Sequence, residues 1–159
     1  MKRGTTNLVN RNAAFVSAAL RHVRDATHLV AVSEHQSIDQ AFHLVGFGPE
    51  CIRKACLDER AVDRALGHTL SEAGDPVVDF LVACDPEAVR YGVELAPGDL
   101  PLLRAAGWRP DVRYARTGNT DTTPGERRVA EIVEEAMMFV DERLIALWAD
   151  GALDGQVIL

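Results

Sequence analysis

The chain has 159 residues, of which 47% are hydrophobic and 26% charged, proportions that are typical of one soluble globular domain. Its formal net charge of -7 disfavours broad non-specific binding to DNA or RNA, which requires many Lys and Arg residues on phosphates. No apolar run approaches the roughly 18 residues of a membrane span, and no apolar signal core follows the first residues. We therefore expect a single cytoplasmic domain, residues 1–159, that makes no contact with a membrane.

Apolar residues at helical spacing predict two helices in the first third of the chain. Helix one is predicted from about Asn10 to Val32. The second helix is predicted from Ser37 to Cys56, where Ser37 is the N-cap and Gln40, three residues later, completes a capping box. Two glycines and a proline lie inside this second helix, and they predict a kink from Val45 to Pro49.

Shorter helices are predicted in the middle of the chain. One is predicted from Asp58 to Leu66, Thr69 to Ala83 is predicted to be helical in part, and Asp85-Pro86-Glu87 is a further helix-start signal. The following residues, 91–101, contain two prolines and two glycines and are predicted to be irregular. Leu102 to Ala106 is predicted to form one helical turn.

The final helix has the strongest sequence signals. A loop is predicted from Gly107 to Thr123, after which Pro124 takes the first helical position and Glu126 completes a capping box with Thr123. An apolar stripe then continues to Ala149. Because no pair of alternating strands is apparent, the predicted fold is all-α: an antiparallel helical bundle with a long loop before the final helix.

Three polar residues of the second helix share one face and form a candidate ligand site. His43, Glu50 and Lys54 are separated by seven and then four residues, and Glu50 to Lys54 is the favourable orientation for an ion pair. One interpretation is an internal ion pair, with His43 in the core or in a dimer interface. The other is a polar pocket for a phosphate-bearing or nucleotide ligand, with His43 able to exchange a proton near neutral pH.

Three further residues are candidates for ligand binding. His68 follows a glycine, so it either caps the preceding helix or contacts a ligand. Arg113 and Tyr114 lie in the one locally basic segment, where arginine can bind phosphate and an aromatic ring can stack on a base. The other interpretation is that Arg113 pairs with a buried acid and Tyr114 packs on the bundle. The acids, histidines and three cysteines are scattered, so we expect no metal, no cofactor and no disulfide framework.

Four local patterns, in the same order along the chain, resemble those of the HEPN superfamily of small all-α modules. The segment AFHLVGFGPECIRKAC is similar to the family pattern A-x-H-L-x-G-x-x-x-E-x-x-x-K, with His43, Glu50 and Lys54 at the polar positions. GHTL, at residues 67–70, is similar to a family G-H-D-L turn. Trp108, followed by Arg113-Tyr114, is similar to the tryptophan and R-Y pair before the last helix, and the amphipathic final helix is the fourth pattern.

The resemblance implies a fold, a class of function and partners. Active HEPN ribonucleases carry an R-x4-6-H motif in a late helix, but all five histidines here precede residue 69, so none follows Arg113. The resemblance therefore implies a homodimeric, non-catalytic or degenerate module of a toxin–antitoxin or defence system. It would bind a nucleotide, RNA or a partner protein, such as a minimal nucleotidyltransferase. Two alternatives remain: a metal-independent ribonuclease that uses a displaced His43 or His68, and a purely structural or interaction module.

Overall fold

A computed structural model describes residues 5–56 and 100–153 of the chain, with side chains from residue 13 onward. Within these two stretches the fold is all-α, as the sequence predicts, and contains no β-strand. The helices are α1 Thr5–Val30, α2 Ile38–Val45, α3 Phe47–Ala55, α4 Pro101–Ala105 and α5 Glu126–Ala149, with a 3-10 helix at Pro110–Tyr114. The helices predicted between Asp58 and Glu87 lie outside the described residues.

The four longer helices pack around one hydrophobic core. α1 contacts α2, α3 and α5, while α5 also contacts α2, α3 and the short α4. The fully buried side chains recur every three or four residues, because only such positions share one face of a helix. They include Val16, Phe42, Val45, Ile52, Val129, Ile132, Val140 and Leu147. Each such side chain contributes roughly 1.5–3 kcal/mol when it is buried, so this core is the main stabilising element of the described residues.

The kink predicted in the second helix is a complete break between α2 and α3. Gly46 separates the two helices and has ordinary right-handed helical backbone angles. A continuous helix would require an amide hydrogen on Pro49 to reach the carbonyl of Val45, and proline has none. In α3, which begins at Phe47, Pro49 lies in the first turn, where the missing donor costs nothing.

Gly48 allows α3 to pack closely against α1. A Cβ atom added at this position would lie 2.5 Å from Cγ1 of Val23, which is closer than carbon atoms approach one another. The absence of a side chain at Gly48 therefore lets α3 approach α1 closely. This contact fixes the distance between α1 and α3, the helix that carries Glu50 and Lys54.

Two predicted helix caps are wrong in detail. Ser37 is the N-cap of α2, as predicted, but it makes no side-chain capping bond, and Gln40 is exposed. α5 begins at Glu126, two residues later than predicted, with Gly125 as its N-cap. The amide of Thr123 instead donates to the carbonyl of Asn119 in a turn, and the Glu126 carboxylate accepts a hydrogen bond from Gln36 at 2.9 Å. Tertiary and turn contacts thus replace the predicted capping box.

The helical turn predicted at Leu102 is α4, and a carboxylate from α5 caps it. Both oxygens of Glu135 accept backbone hydrogen bonds, from the amides of Leu102 and Leu103, each at 2.9 Å. Leu100, just before α4, is buried and has a φ of 52°, which is unfavourable for a residue with a Cβ atom. The Glu135 cap holds this strained entry in place.

Residues 107–123 are not entirely irregular, because Pro110–Tyr114 forms a 3-10 helix within the predicted loop. The amide of Val112 donates to the carbonyl of Arg109, and that of Ala115 donates to the carbonyl of Val112.

Among the described helices, none combines the length and the apolar composition needed to cross a membrane.

Candidate functional site

Glu50 and Lys54 form a largely buried ion pair on α3. Their side chains lie one helical turn apart, and Nζ of Lys54 is 2.6 Å from Oε1 of Glu50. The Glu50 side chain is 3% exposed and that of Lys54 is 13% exposed, so the acid is the deeper partner. The structure therefore agrees with the interpretation of these two residues as an internal ion pair.

His43 lies on α2, across the helix break from this ion pair. It is buried and contacts the ring of Phe47 edge-on, with 5.1 Å between the ring centroids. Burial, the charge of Arg113 and the neighbouring His22 all lower the pKa of His43 from its usual value of 6.5. The imidazole is therefore neutral at physiological pH.

His22 of α1 contacts the same Phe47 ring as His43, although the sequence analysis did not identify His22 as a candidate. Its ring lies 5.5 Å from that of Phe47, and burial followed by the charge of Arg21 lowers its pKa. Nδ1 of His22 and Nδ1 of His43 are both buried without a hydrogen-bond partner in the part of the chain that the structure describes. The signal in the sequence was a histidine within the apolar stripe of helix one, where an alanine or leucine would be ordinary.

Trp108 connects the loop before α5 to the α2–α3 break. Its side chain is 6% exposed, and its Nε1 donates a hydrogen bond to the carbonyl of His43 at 3.1 Å. Its ring meets that of Phe47 edge-on, with 5.2 Å between centroids, and lies directly over Gly46. The rings of His22, His43, Phe47 and Trp108 form what we call the aromatic cluster. The histidine, glycine and tryptophan of the sequence patterns are therefore in contact, and their contacts are those of a packed core.

Arg113 and Tyr114 lie at the end of the 3-10 helix, on the surface. Tyr114 is 75% exposed, and the Arg113 guanidinium carbon lies 4.7 Å from the centroid of its ring. Arg113 is also exposed, yet its charge contributes to lowering the pKa of the buried His43. The interpretation in which Tyr114 packs on the bundle is therefore wrong, while a surface open to a ligand is present.

One candidate residue, His68, and one of the three cysteines, Cys84, lie outside the described residues. Cys51 and Cys56 are free thiols, and burial raises their pKa values to about 11 and about 12, so both stay protonated and unreactive at neutral pH. Within residues 5–56 and 100–153, no three His, Cys, Asp or Glu residues are grouped so as to hold a metal ion.

Of the six predicted site residues, the five that the structure describes fall into three separate environments. His43 lies at the aromatic cluster, Glu50 and Lys54 form an ion pair on the next helix, and Arg113 and Tyr114 face solvent. Comparison of the sequence with protein-family models, with curated proteins and with solved structures finds no match. The HEPN resemblance is therefore a hypothesis that the sequence patterns alone support.

Proposed function

We propose that this chain is a HEPN-like module that binds RNA or a nucleotide on its surface without catalysing a reaction on it. The observation that carries the proposal is the exposed pair of Arg113 and Tyr114 on a segment anchored by the buried Trp108. An arginine fork can bind a phosphate through two hydrogen bonds, and an exposed tyrosine face can stack on any base. The anchor lowers the cost of binding, because the segment is ordered before the ligand arrives.

The local charge of this segment favours phosphate even though the whole chain is acidic. Residues 109–116 contain three arginines and one aspartate, a formal local charge of +2 against -7 for the chain. Arg109 pairs with Asp111 at 3.4 Å. Arg113 and Arg116 make no ion pair with any residue in the described stretches, so both guanidinium groups are available to an anion. Binding should therefore be local and strongly dependent on salt.

The state of His43 supports binding without catalysis. Metal-independent cleavage of RNA requires one group to remove a proton and another to donate one beside the scissile phosphate. The lowered pKa of His43 reduces the fraction of its imidazole that is protonated and able to donate at neutral pH, and burial restricts its contact with a phosphodiester. Arginine does not substitute for it, because its guanidinium stays charged.

A binding measurement tests the proposal. Fluorescence anisotropy of a labelled single-stranded RNA should detect binding by the full chain, and Tyr114→Ala should weaken it about tenfold, since stacking contributes about 1–3 kcal/mol per base. Arg113→Ala should reduce the slope of log K against log salt by about 0.7, the value for one phosphate contact on a single strand. The control is Arg127→Ala, which removes an exposed arginine from α5, outside the proposed site. Equal loss in Arg113→Ala and Arg127→Ala would contradict a specific site.

One observation favours a second candidate, the metal-independent ribonuclease with a displaced histidine. Arg113 is close enough to His43 for its charge to act on the imidazole, so these two residues could flank one phosphate. Incubation of the chain with tRNA and mixed RNA in a chelator should nevertheless leave the RNA intact. Cleavage that disappears in both Arg113→Ala and His43→Gln would replace the binding proposal with the ribonuclease.

The resemblance also implies partners, which we include in the proposal as a homodimer and a minimal nucleotidyltransferase. Light scattering of the purified chain at about 50 µM, a concentration at which a dimer of micromolar affinity is mostly formed, tests the first. If the chain neither binds nor cleaves RNA, the purely structural or interaction module remains, and the buried Glu50–Lys54 ion pair is compatible with it.

A further inference from the structure

We propose that the outer face of α5 is a docking surface for a basic amphipathic helix of another protein. We define this outer face by Glu134, Met138, Asp141, Ile145 and Trp148, which follow one another at alternating intervals of four and three residues. That spacing keeps all five side chains on one line of a helix and is the spacing at which two helices pack side by side. The surface is independent of the RNA-binding segment.

The outer face is unusually apolar for a surface helix. Met138 is 57%, Ile145 63% and Trp148 68% exposed, and the adjacent Met137 is also exposed. Four of the six large exposed hydrophobic side chains in the described residues are on this helix. Isolated exposed hydrophobic residues are common, but a row of them along one helix, with Met and Trp among them, is typical of a protein interface.

A groove beside Met138 provides a place for an anchoring side chain. It lies between α4 and α5, has a volume of about 460 Å³, and is lined by the apolar side chains of Leu100, Leu102, Met138 and Phe139. Four glutamates and Arg143 line the rest of the groove. Three of these glutamates already have partners, since Glu131 pairs with two arginines, Glu142 pairs with Arg143 and Glu135 caps α4, which leaves the Glu134 carboxylate to a partner. A large apolar side chain flanked by Lys or Arg would fit this combination of apolar surface and negative charge.

The charges on the outer face select a basic partner over a second copy. The carboxylates of Glu134 and Asp141 are exposed and make no ion pair or hydrogen bond with the residues that the structure describes. Asp141 is the middle residue of the five. If two copies packed this face symmetrically about its centre, parallel or antiparallel, Asp141 would lie against its own counterpart, and like charges in a packed seam repel. Lys or Arg on a different helix would be attracted at the same place.

A synthetic peptide tests the surface with the full chain. The probe is an amphipathic helix of about 20 residues with leucine at its a and d positions and lysine beside them, and the matched probe has glutamate in place of lysine. Docking should shift the emission of exposed Trp148 to shorter wavelength, while Trp108 is already buried. The lysine peptide should bind at least about fivefold more tightly than the glutamate peptide, a factor that corresponds to one favourable exposed ion pair.

Three variants separate a specific surface from the general attraction of a cation to an acidic protein. Asp141→Lys and Ile145→Ser should each weaken binding of the lysine peptide, and Asp141→Lys should strengthen binding of the glutamate peptide. Asp121→Lys makes the same change in net charge on an exposed loop residue and should leave both affinities unchanged within about twofold. Both charge variants are at exposed positions, and circular dichroism confirms their folding before binding is measured.

Three results would overturn the proposal. The first is equal weakening by Asp141→Lys and Asp121→Lys, which would indicate non-specific charge attraction. The second is failure of the lysine peptide to bind to the folded chain. The third is a shift of Trp148 emission with protein concentration alone, accompanied by a doubling of mass, which would assign this face to a second copy.

Discussion

Substitution of Gly46 by alanine sets two opposite effects against each other. Gly46 has a φ of -72° and a ψ of -21°, so its backbone does not require glycine. Helix propensity alone predicts that alanine would stabilise the chain by about 0.5–1 kcal/mol. The added Cβ, however, would lie 2.5 Å from Cζ2 of Trp108 and closer still to Cε2 and Cδ2.

The packing effect should be larger than the propensity effect. The Trp108 ring is buried against the aromatic cluster, so it cannot withdraw like the end of a flexible surface side chain. Overpacking of this kind costs about 1–3 kcal/mol. Moving the ring would also break the hydrogen bond from Nε1 to the carbonyl of His43, and a buried N–H left without an acceptor costs about 1–3 kcal/mol. We therefore expect Gly46→Ala to destabilise the chain by about 1–5 kcal/mol in total.

Urea unfolding followed by circular dichroism measures this change. The control is Gly125→Ala, because a Cβ at Gly125 meets no atom within 4 Å; its change should stay below about 1 kcal/mol. A double-mutant cycle then assigns the cost to its cause. With Trp108 replaced by leucine, Gly46→Ala should become neutral or stabilising. A Gly46→Ala chain as stable as the parent would refute the contact between Gly46 and Trp108.

Three further predictions follow from the buried polar groups. Lys54→Ala should cost about 1–3 kcal/mol in a thermal or urea melt, and more than Glu50→Ala. Lys54→Ala removes an ammonium from the deeper acid, whereas in Glu50→Ala the long Lys54 side chain can still extend to water. The opposite order would show that Lys54 is the deeper group. The pKa of His43 is lowered in the folded chain, so below pH 6.5 the unfolded chain binds the proton first. The free energy of unfolding should therefore fall with decreasing pH, by at most about 1.4 kcal/mol per pH unit for this group. His43→Gln should flatten this decline in urea melts between about pH 6.5 and 5, and an unchanged slope would contradict the shift. Glu135→Ala should cost about 0.5–2 kcal/mol because it removes the cap of α4, while Glu135→Gln, which keeps one acceptor oxygen, should cost less.

The described helices were largely predictable because their signals are local. Apolar periodicity gave α1 and α5, and Pro49 with its glycines gave the division of the second helix. The start of α5 was predicted two residues early, since Glu126 bonds Gln36, which is 90 residues away in sequence. Capping patterns describe contacts within a few residues, and no local pattern reveals a competing partner from a distant part of the chain, here the connection between α1 and α2.

The candidate site was less predictable for the same reason. The face shared by His43, Glu50 and Lys54 assumed one continuous helix, whereas the break at Gly46 places His43 on a separate helix. Helical spacing places residues on one face only within a single helix. His22 escaped notice because its neighbours in space come from α3, and sequence distance gives no indication of that contact.

The residues behind the HEPN resemblance perform two physically distinct roles. Gly46, Trp108 and the Glu50–Lys54 pair are buried and fix how α2, α3 and the loop before α5 meet. Arg113 and Tyr114 make no such contribution, because they are exposed and contact each other. Since the first set is explained by packing alone, its match to a family pattern does not by itself support an activity. Substitutions in the buried set should therefore change the melting temperature first, whereas Arg113→Ala and Tyr114→Ala should change RNA affinity while the melting temperature stays within about 2–4 °C of the parent, the shift for roughly 1 kcal/mol in a chain of this size.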